Sequence, residues 1–192
     1  PPAAILTLGD IRIGIAAWTR WLNGSAPGAE TAPVMREEHV KIDWAAYKRR
    51  ERLDFLIGYP HWEHEYQHFP KPETRKLAQE LLERGMDMLV GSHPHVLQGM
   101  DWHDGKICAY SLGDFVGLAG PWPEKLSAVL EVQIGLDAPH RGKLLRYQIH
   151  PIVQDRKNRR NILLQNAPPR QRRRMENRLM MMYLDPKMER NK

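Results

Sequence analysis

Of the nine histidines in this chain, His61, His93 and His95 have the type and spacing to do chemistry together. Histidine is the commonest protein metal ligand, and a His-x-His pair brings two imidazoles to one place. His93 and His95 follow the apolar run MDMLVG, and His61 follows a second apolar run, DFLIGYP. Both runs read as strands. In an open α/β sheet, ligands collect where loops leave the carboxyl ends of the strands, so three histidines leaving two strands are placed like a site. Their neutral ring nitrogens suit zinc, manganese, iron and other borderline divalent ions. The single cysteine, Cys108, lies in the strand-like run KICAYSL and reads as a buried, inert thiol.

The elements that must position these residues follow from the pattern around them. Residues 3–8 and 11–18 are apolar runs separated by Gly9-Asp10, a hairpin signal, and residues 23–33 read as a loop rich in small residues and proline. Residues 43–52 predict a helix capped by Asp43, with Trp44 and Tyr47 on one face. Residues 53–59 are the strand that delivers His61. The segment KPETRKLAQELLERG predicts a second helix. Pro72 suits its first turn, Glu73 complements the N-terminal dipole, and Gly85 fits the C-terminal cap. Leu77, Ala78, Leu81 and Leu82 form its apolar stripe. With residues 86–90 returning as a strand, 53–90 is a βαβ unit, which carries His61 to the same sheet edge as His93 and His95. Residues 100–102 and 106–110 flank an Asp-Gly hairpin at Asp104-Gly105. Residues 126–136 and 144–153 alternate and predict an antiparallel pair across a turn at 137–142. Beyond Pro151 the alternation ends. Residues 170–184 predict a helix with Leu179, Met180 and Tyr183 as its apolar face, and the short length of that face predicts little contribution to the core.

Three motifs stand in register along this frame: HWEHEY (61–66), GSHPHVLQG (91–99) and YSLGDF (110–115). Together they resemble the CapA family, the capsule and poly-γ-glutamate synthesis proteins with a metallophosphatase-like domain; the resemblance is dense over residues 54–116. It implies an α/β fold, the C-terminal part of a calcineurin-like metallophosphatase sandwich, with βαβ units and antiparallel C-terminal strands. It implies that His61, His93 and His95 are ligands of a divalent metal (zinc, manganese or iron), and that His61, Glu65 and Asp114 are the candidate catalytic set. Glu65 matches the family's acid, and the reading preferred for it is a partner that orients a histidine. Two residues depart from the pattern: Glu63 stands where the family has Gly, a bulky acid beside His61, and Asp114 stands where it has Asn.

Metallophosphatase sites of this kind hold two ions to clamp the attacking and leaving oxygens. The resemblance therefore also calls for an N-terminal Asp and His, a bridging acid and an Asn. Asp10 sits in a hairpin turn and Asn23 in a loop, and neither supplies them. Three histidines without a bridging carboxylate suit one ion. His64 and His68 read as a solvated loop face, Ser92 as a loop-shaping hydroxyl or a phosphate donor, and Trp62 and Trp102 as packing residues.

Composition adds bounds. The 192 residues are 42% hydrophobic and 27% charged, enough for one domain with a core. One cysteine excludes an intrachain disulfide, and no apolar run reaches bilayer-spanning length. The opening Pro-Pro-Ala-Ala, without an initiating Met, reads as an N-terminally incomplete chain. Residues 1–154 form the CapA-like domain and 155–192 a basic tail, where much of the net charge of +6 resides. That tail has no nucleic-acid motif and reads as solvated, with no specific nucleic-acid partner. The resemblance implies an anionic polymer or a phosphate-containing substrate, other capsule-synthesis proteins as partners, and the cell surface as location. Three functions stay open: a capsule or poly-γ-glutamate synthesis protein with a metal-dependent site, a metallophosphoesterase acting on a small phosphate ester, and a non-catalytic scaffold of a polymer-export machine.

Overall fold

The computed structural model describes residues 3–20, 40–116, 126–155, 158 and 160–183; the expected loop at 23–33, with Asn23, lies outside them. The hairpin signal at Gly9-Asp10 joins β1 (Ala4–Leu8) to β2 (Ile11–Thr19). Next comes α1 (Trp44–Arg50), whose first turn is held by the Asp43 carboxylate accepting the Ala46 N–H at 2.8 Å. The βαβ unit follows as β3 (Phe55–His61), α2 (Pro72–Glu83) and β4 (Met88–Val90), and the Asp-Gly hairpin as β5 (Met100–His103) and β6 (Lys106–Ala109). Among the described residues these six strands form one mixed sheet in the order β1-β2-β3-β4-β6-β5, with β2, β3, β4 and β6 parallel to one another.

Period-two alternation sends successive residues to opposite faces of this sheet. Leu56 of β3 and Leu89 of β4 join Trp44, Tyr47, Ala78, Leu81 and Leu82 in a core under the two helices. Phe55, Met88 and Ile107 point the other way and pack against Leu130, Val132 and Tyr147 of a second, three-stranded sheet. That sheet contains the expected antiparallel pair, β7 (Leu126–Ile134) and β8 (Leu144–Asp155). Beyond Pro151 the structure corrects the sequence reading. β8 continues to Asp155 and pairs with a further strand, β9 (Arg160–Leu163). This strand is short and partly exposed, so it lacks the alternation by which a half-buried strand is read.

The C-terminal helix, α3 (Pro169–Tyr183), brings the larger correction. Met175 is 0% exposed and packs with Leu97, Leu126, Val153 and Ala167, with Leu179 against the same cluster. The buried face is therefore Met175, Arg178 and Leu179 at i, i+3 and i+4, while Met180 is 60% exposed. The described part of the basic segment thus docks on the core through α3. Sequence pattern hid this because an arginine occupies one buried position of the stripe.

Gly85 shows how tightly the helical layer closes. Its φ is +118°, and a Cβ there would meet the Ala45 N at 2.5 Å, where α1 begins and donates Ala45 N–H to Arg84 O. Gly85→Ala combines a backbone conformation that side chains resist with overpacking against rigid backbone. It is expected to cost at least about 2 kcal/mol, read as a lowered urea midpoint at unchanged m.

Candidate metal centre

The parallel strands β2, β3, β4 and β6 all end at one sheet edge, and the chemistry-bearing residues sit there. Thr19 and His61 are register partners at the ends of β2 and β3. The chain then passes from His61 into a loop that lies against the one leaving β4: Ser92 N–H donates to Pro60 O at 2.8 Å, and Tyr66 N–H to Pro94 O at 2.9 Å. Gly91 permits this approach, since a Cβ would lie 2.2 Å from Tyr110 O and 2.3 Å from Trp62 Nε1. Trp62 is fully buried, stacks on Tyr110 and donates to its carbonyl at 3.0 Å, as a packing residue should. Trp102 lies at the surface, 53% exposed, against Tyr147.

The three imidazoles converge. Ring centroids of His61 and His93 are 4.3 Å apart, and those of His93 and His95 are 6.0 Å apart. Each ring is held through Nδ1. His61 Nδ1 lies 3.1 Å from Thr19 Oγ1. His93 Nδ1 lies 2.8 Å from Glu63 O and 3.2 Å from Trp62 O, and His95 Nδ1 lies 2.8 Å from Asp114 Oδ1. A carbonyl or carboxylate oxygen only accepts, so His93 and His95 donate from Nδ1, and in the neutral ring Nε2 keeps its lone pair. That is how proteins orient metal-binding histidines. Among the described residues, however, no three His, Cys, Asp or Glu side chains already stand in metal-holding geometry. The donor set has the right chemistry for one borderline ion but is not closed around one.

Burial, and then the neighbouring His93 and His95, lower the His61 pKa. The sign is that of a depressed base: the folded chain binds its proton less readily than the unfolded chain. The contribution to stability is present above the ordinary histidine range near pH 6.5 and is lost as pH falls through the lowered value.

The loops carry strain where the histidines sit. Glu63 (φ +64°), Tyr66 (+62°), His93 (+96°) and His95 (+59°) all adopt positive φ, which non-glycine residues rarely do. Such outliers cluster at functional sites. The first suits the glycine that the resembled pattern carries at position 63. The sequence reading put the Glu63 acid beside His61. Its side chain, 1% exposed, turns to the start of α2, where Oε1 accepts the Lys71 N–H at 3.0 Å, and its carbonyl faces His93.

The remaining candidates divide as follows. Asp114 lies against His95 and is itself tied to the second sheet by Gln154, which donates to its carbonyl at 2.7 Å. Glu65 Oε1 is 3.9 Å from His93 Nε2, with its side chain 47% exposed. Ser92 Oγ donates to Pro60 O and shapes the loop. His64 is exposed, whereas His68 departs from the solvated reading: its Nδ1 is buried, and burial lowers its pKa. Asp10 lies at the β1–β2 turn and receives Arg141, which also bonds Asp54 at the start of β3, the edge opposite the histidines. Thr19 and Arg178 are functional candidates that sequence reasoning missed. The register partner of His61 was the signal for Thr19, and nothing local signalled Arg178.

A family model described as "Bacterial capsule synthesis protein PGA_cap" matches residues 1–118, more than half the chain. The chain belongs to this bacterial capsule synthesis family. The matched stretch contains every histidine and carboxylate of the centre, while β7–β9 and α3 lie beyond it. Within the family, the Bacillus subtilis protein named PGA biosynthesis protein CapA is 29% identical over 119 residues, 59% of this chain and 31% of that protein. The Bacillus anthracis protein named capsule biosynthesis protein CapA is 35% identical over 94 residues, 49% of this chain and 23% of that protein. The matches thus span a third or less of those relatives. The fold resembles that of a Staphylococcus aureus protein described as a 5'-nucleotidase, at a TM-score of 0.50 and 10% identity, covering 93% of this chain and 33% of that one. The expected fold class stands: a PGA_cap chain built as a mixed α/β structure whose fold resembles that of this nucleotidase. Among the described residues no helix is long and apolar enough to cross a membrane.

Proposed function

We propose that this chain carries a one-ion metal centre of a metallophosphatase-like hydrolase serving the synthesis of a capsule or poly-γ-glutamate polymer. The observation that carries the reading is the convergence of three imidazoles, each held through Nδ1, at the carboxyl ends of parallel strands. His61, His93 and His95 would hold a zinc, manganese or iron ion. Such an ion, when bound, supplies Lewis acidity toward a phosphoryl or carbonyl oxygen.

The chain's own residues prepare the site. Thr19, the Glu63 carbonyl and Asp114 fix the orientation of the rings. Glu65, half exposed beside His93, is placed to orient that ring or take a proton from an incoming water. Arg20, whose backbone N–H donates to His61 O at 2.9 Å, puts a cation at the same edge, which suits an anionic polymer or a phosphate-containing substrate. Other capsule-synthesis proteins are the partners this reading implies, and the cell surface is the location. One observation favours a second reading, a non-catalytic scaffold of a polymer-export machine: the donor set is not closed.

Metal content by atomic emission, with turnover of a chromogenic phosphate ester, tests both. The expected result is about one ion per chain with weak or absent turnover. No metal would overturn the proposal in favour of the scaffold. Two ions with brisk turnover would overturn the one-ion count and place Glu63, Glu65 or Asp114 among the ligands.

A further inference from the structure

We infer that Arg178 is a positioning residue for the histidine centre: from α3 it ties the loop that follows His61 to the loop that carries His93 and His95. Its Nη2 donates to Leu97 O at 2.6 Å and to His68 O at 3.1 Å. One guanidinium nitrogen thus spans the loop between β3 and α2 and the loop between β4 and β5. The same two loops are linked by Tyr66 N–H to Pro94 O at 2.9 Å, by Gln98 Nε2 to Gln67 O at 2.9 Å, and by His93 Nδ1 to Glu63 O at 2.8 Å. Arg178 closes this set from below, 7% exposed, with its guanidinium 5.9 Å from the Phe69 ring centroid.

Two further observations separate this arrangement from ordinary packing. Among the described residues no carboxylate stands within ion-pair distance of Arg178, and burial lowers its pKa. A buried guanidinium without a counter-charge is costly, and an apolar residue of similar volume is often as stable there or more so. What an apolar residue cannot do is donate to two carbonyls on two different loops. Those loops hold four positive-φ residues, Glu63, Tyr66, His93 and His95, and such conformations persist only where the surroundings over-determine them. α3 itself is fixed by Met175 in the core one turn earlier, so the tether is anchored at both ends. The functional consequence rests on the three-histidine reading; the tether rests on geometry.

The experiment compares the full chain with Arg178→Met and Arg178→Lys. It reads amide hydrogen exchange, zinc affinity by competition with a chromogenic chelator, and the urea midpoint. In Arg178→Met the amides of Tyr66 and Gln98 are expected to lose at least about 10-fold in protection while Leu89 in β4 changes little, since local opening is released without global unfolding. Zinc affinity falls by about 10-fold or more, the range seen when a partner that orients ligands is removed. Arg178→Lys, which keeps the charge and part of the donor capacity, falls between. Unchanged protection at Tyr66 and Gln98 would overturn the inference, and so would a loss shared equally by Leu89, which would make Arg178 merely structural. Should Arg178→Met fail to fold, Arg178→Lys carries the same comparison. If the unaltered chain binds no zinc, the metal reading falls, and the exchange data still decide whether Arg178 holds the loops.

Discussion

Replacing His93 and His95 together by alanine is expected to abolish metal uptake, with less than a tenth of an ion per chain by atomic emission, on the order of the loss that follows when two of three donors go. Loss of a partner that only orients a ligand costs about 10–100-fold in affinity, so loss of each ligand should exceed about 100-fold. His64→Ala should leave uptake nearly unchanged, because His64 is exposed and reads as part of a solvated loop face. Acidification should act in the same direction as the double variant. Protons compete for the ring nitrogens, and His61, with its lowered pKa, holds its lone pair to lower pH than an ordinary histidine. Backbone strain offers a control. His93 and His95 sit at φ +96° and +59°, where glycine is unstrained. A His93→Gly, His95→Gly chain should therefore bind no metal yet keep at least the stability of the alanine pair. Either double variant retaining one ion per chain would show that these histidines are not ligands.

Truncation after Pro168 is the second large effect. It removes Met175, wholly buried among Leu97, Leu126, Val153 and Ala167, together with Leu179 and the Arg178 bonds to both histidine loops. A buried Met replaced by Ala costs about 2–5 kcal/mol, and deleting the helix also uncovers the apolar surface beneath it. The expected loss is more than about 4 kcal/mol, a large part of the 5–15 kcal/mol that holds an ordinary domain folded. The urea midpoint should collapse toward zero, with m reduced in proportion to the surface no longer buried. Met175→Ala alone should give about half of this. A loss below about 1 kcal/mol on truncation would mean that α3 rests on the domain without supporting it, as the short apolar face read from sequence implied.

The sequence by itself determined the frame. Pro72 and Gly85 bound α2, Asp43 caps α1, and the apolar runs before His61 and His93 are neighbouring parallel strands. These are local effects: capping, proline geometry and alternation act over a few residues, so a linear reading recovers them. The convergence of His61 with His93 and His95 was legible for the same reason, because a βαβ unit returns its strands parallel and brings their carboxyl ends to one edge. Only the tertiary structure decided what surrounds the histidines. Glu63 reads as an acid beside His61; the fold sets it at positive φ, with its carboxylate accepting the Lys71 N–H and its carbonyl facing His93. Asp114 is one changed letter in a motif until β6 and the second sheet set it 2.8 Å from His95. Arg178 lies in what reads as a solvated basic tail, more than a hundred residues from His61. Its partners are backbone carbonyls, which every residue possesses, and so no side-chain pattern can announce them. They exist because α3 buries Met175 and so fixes a guanidinium beneath two loops that the sequence keeps 31 residues apart at Glu63 and Pro94.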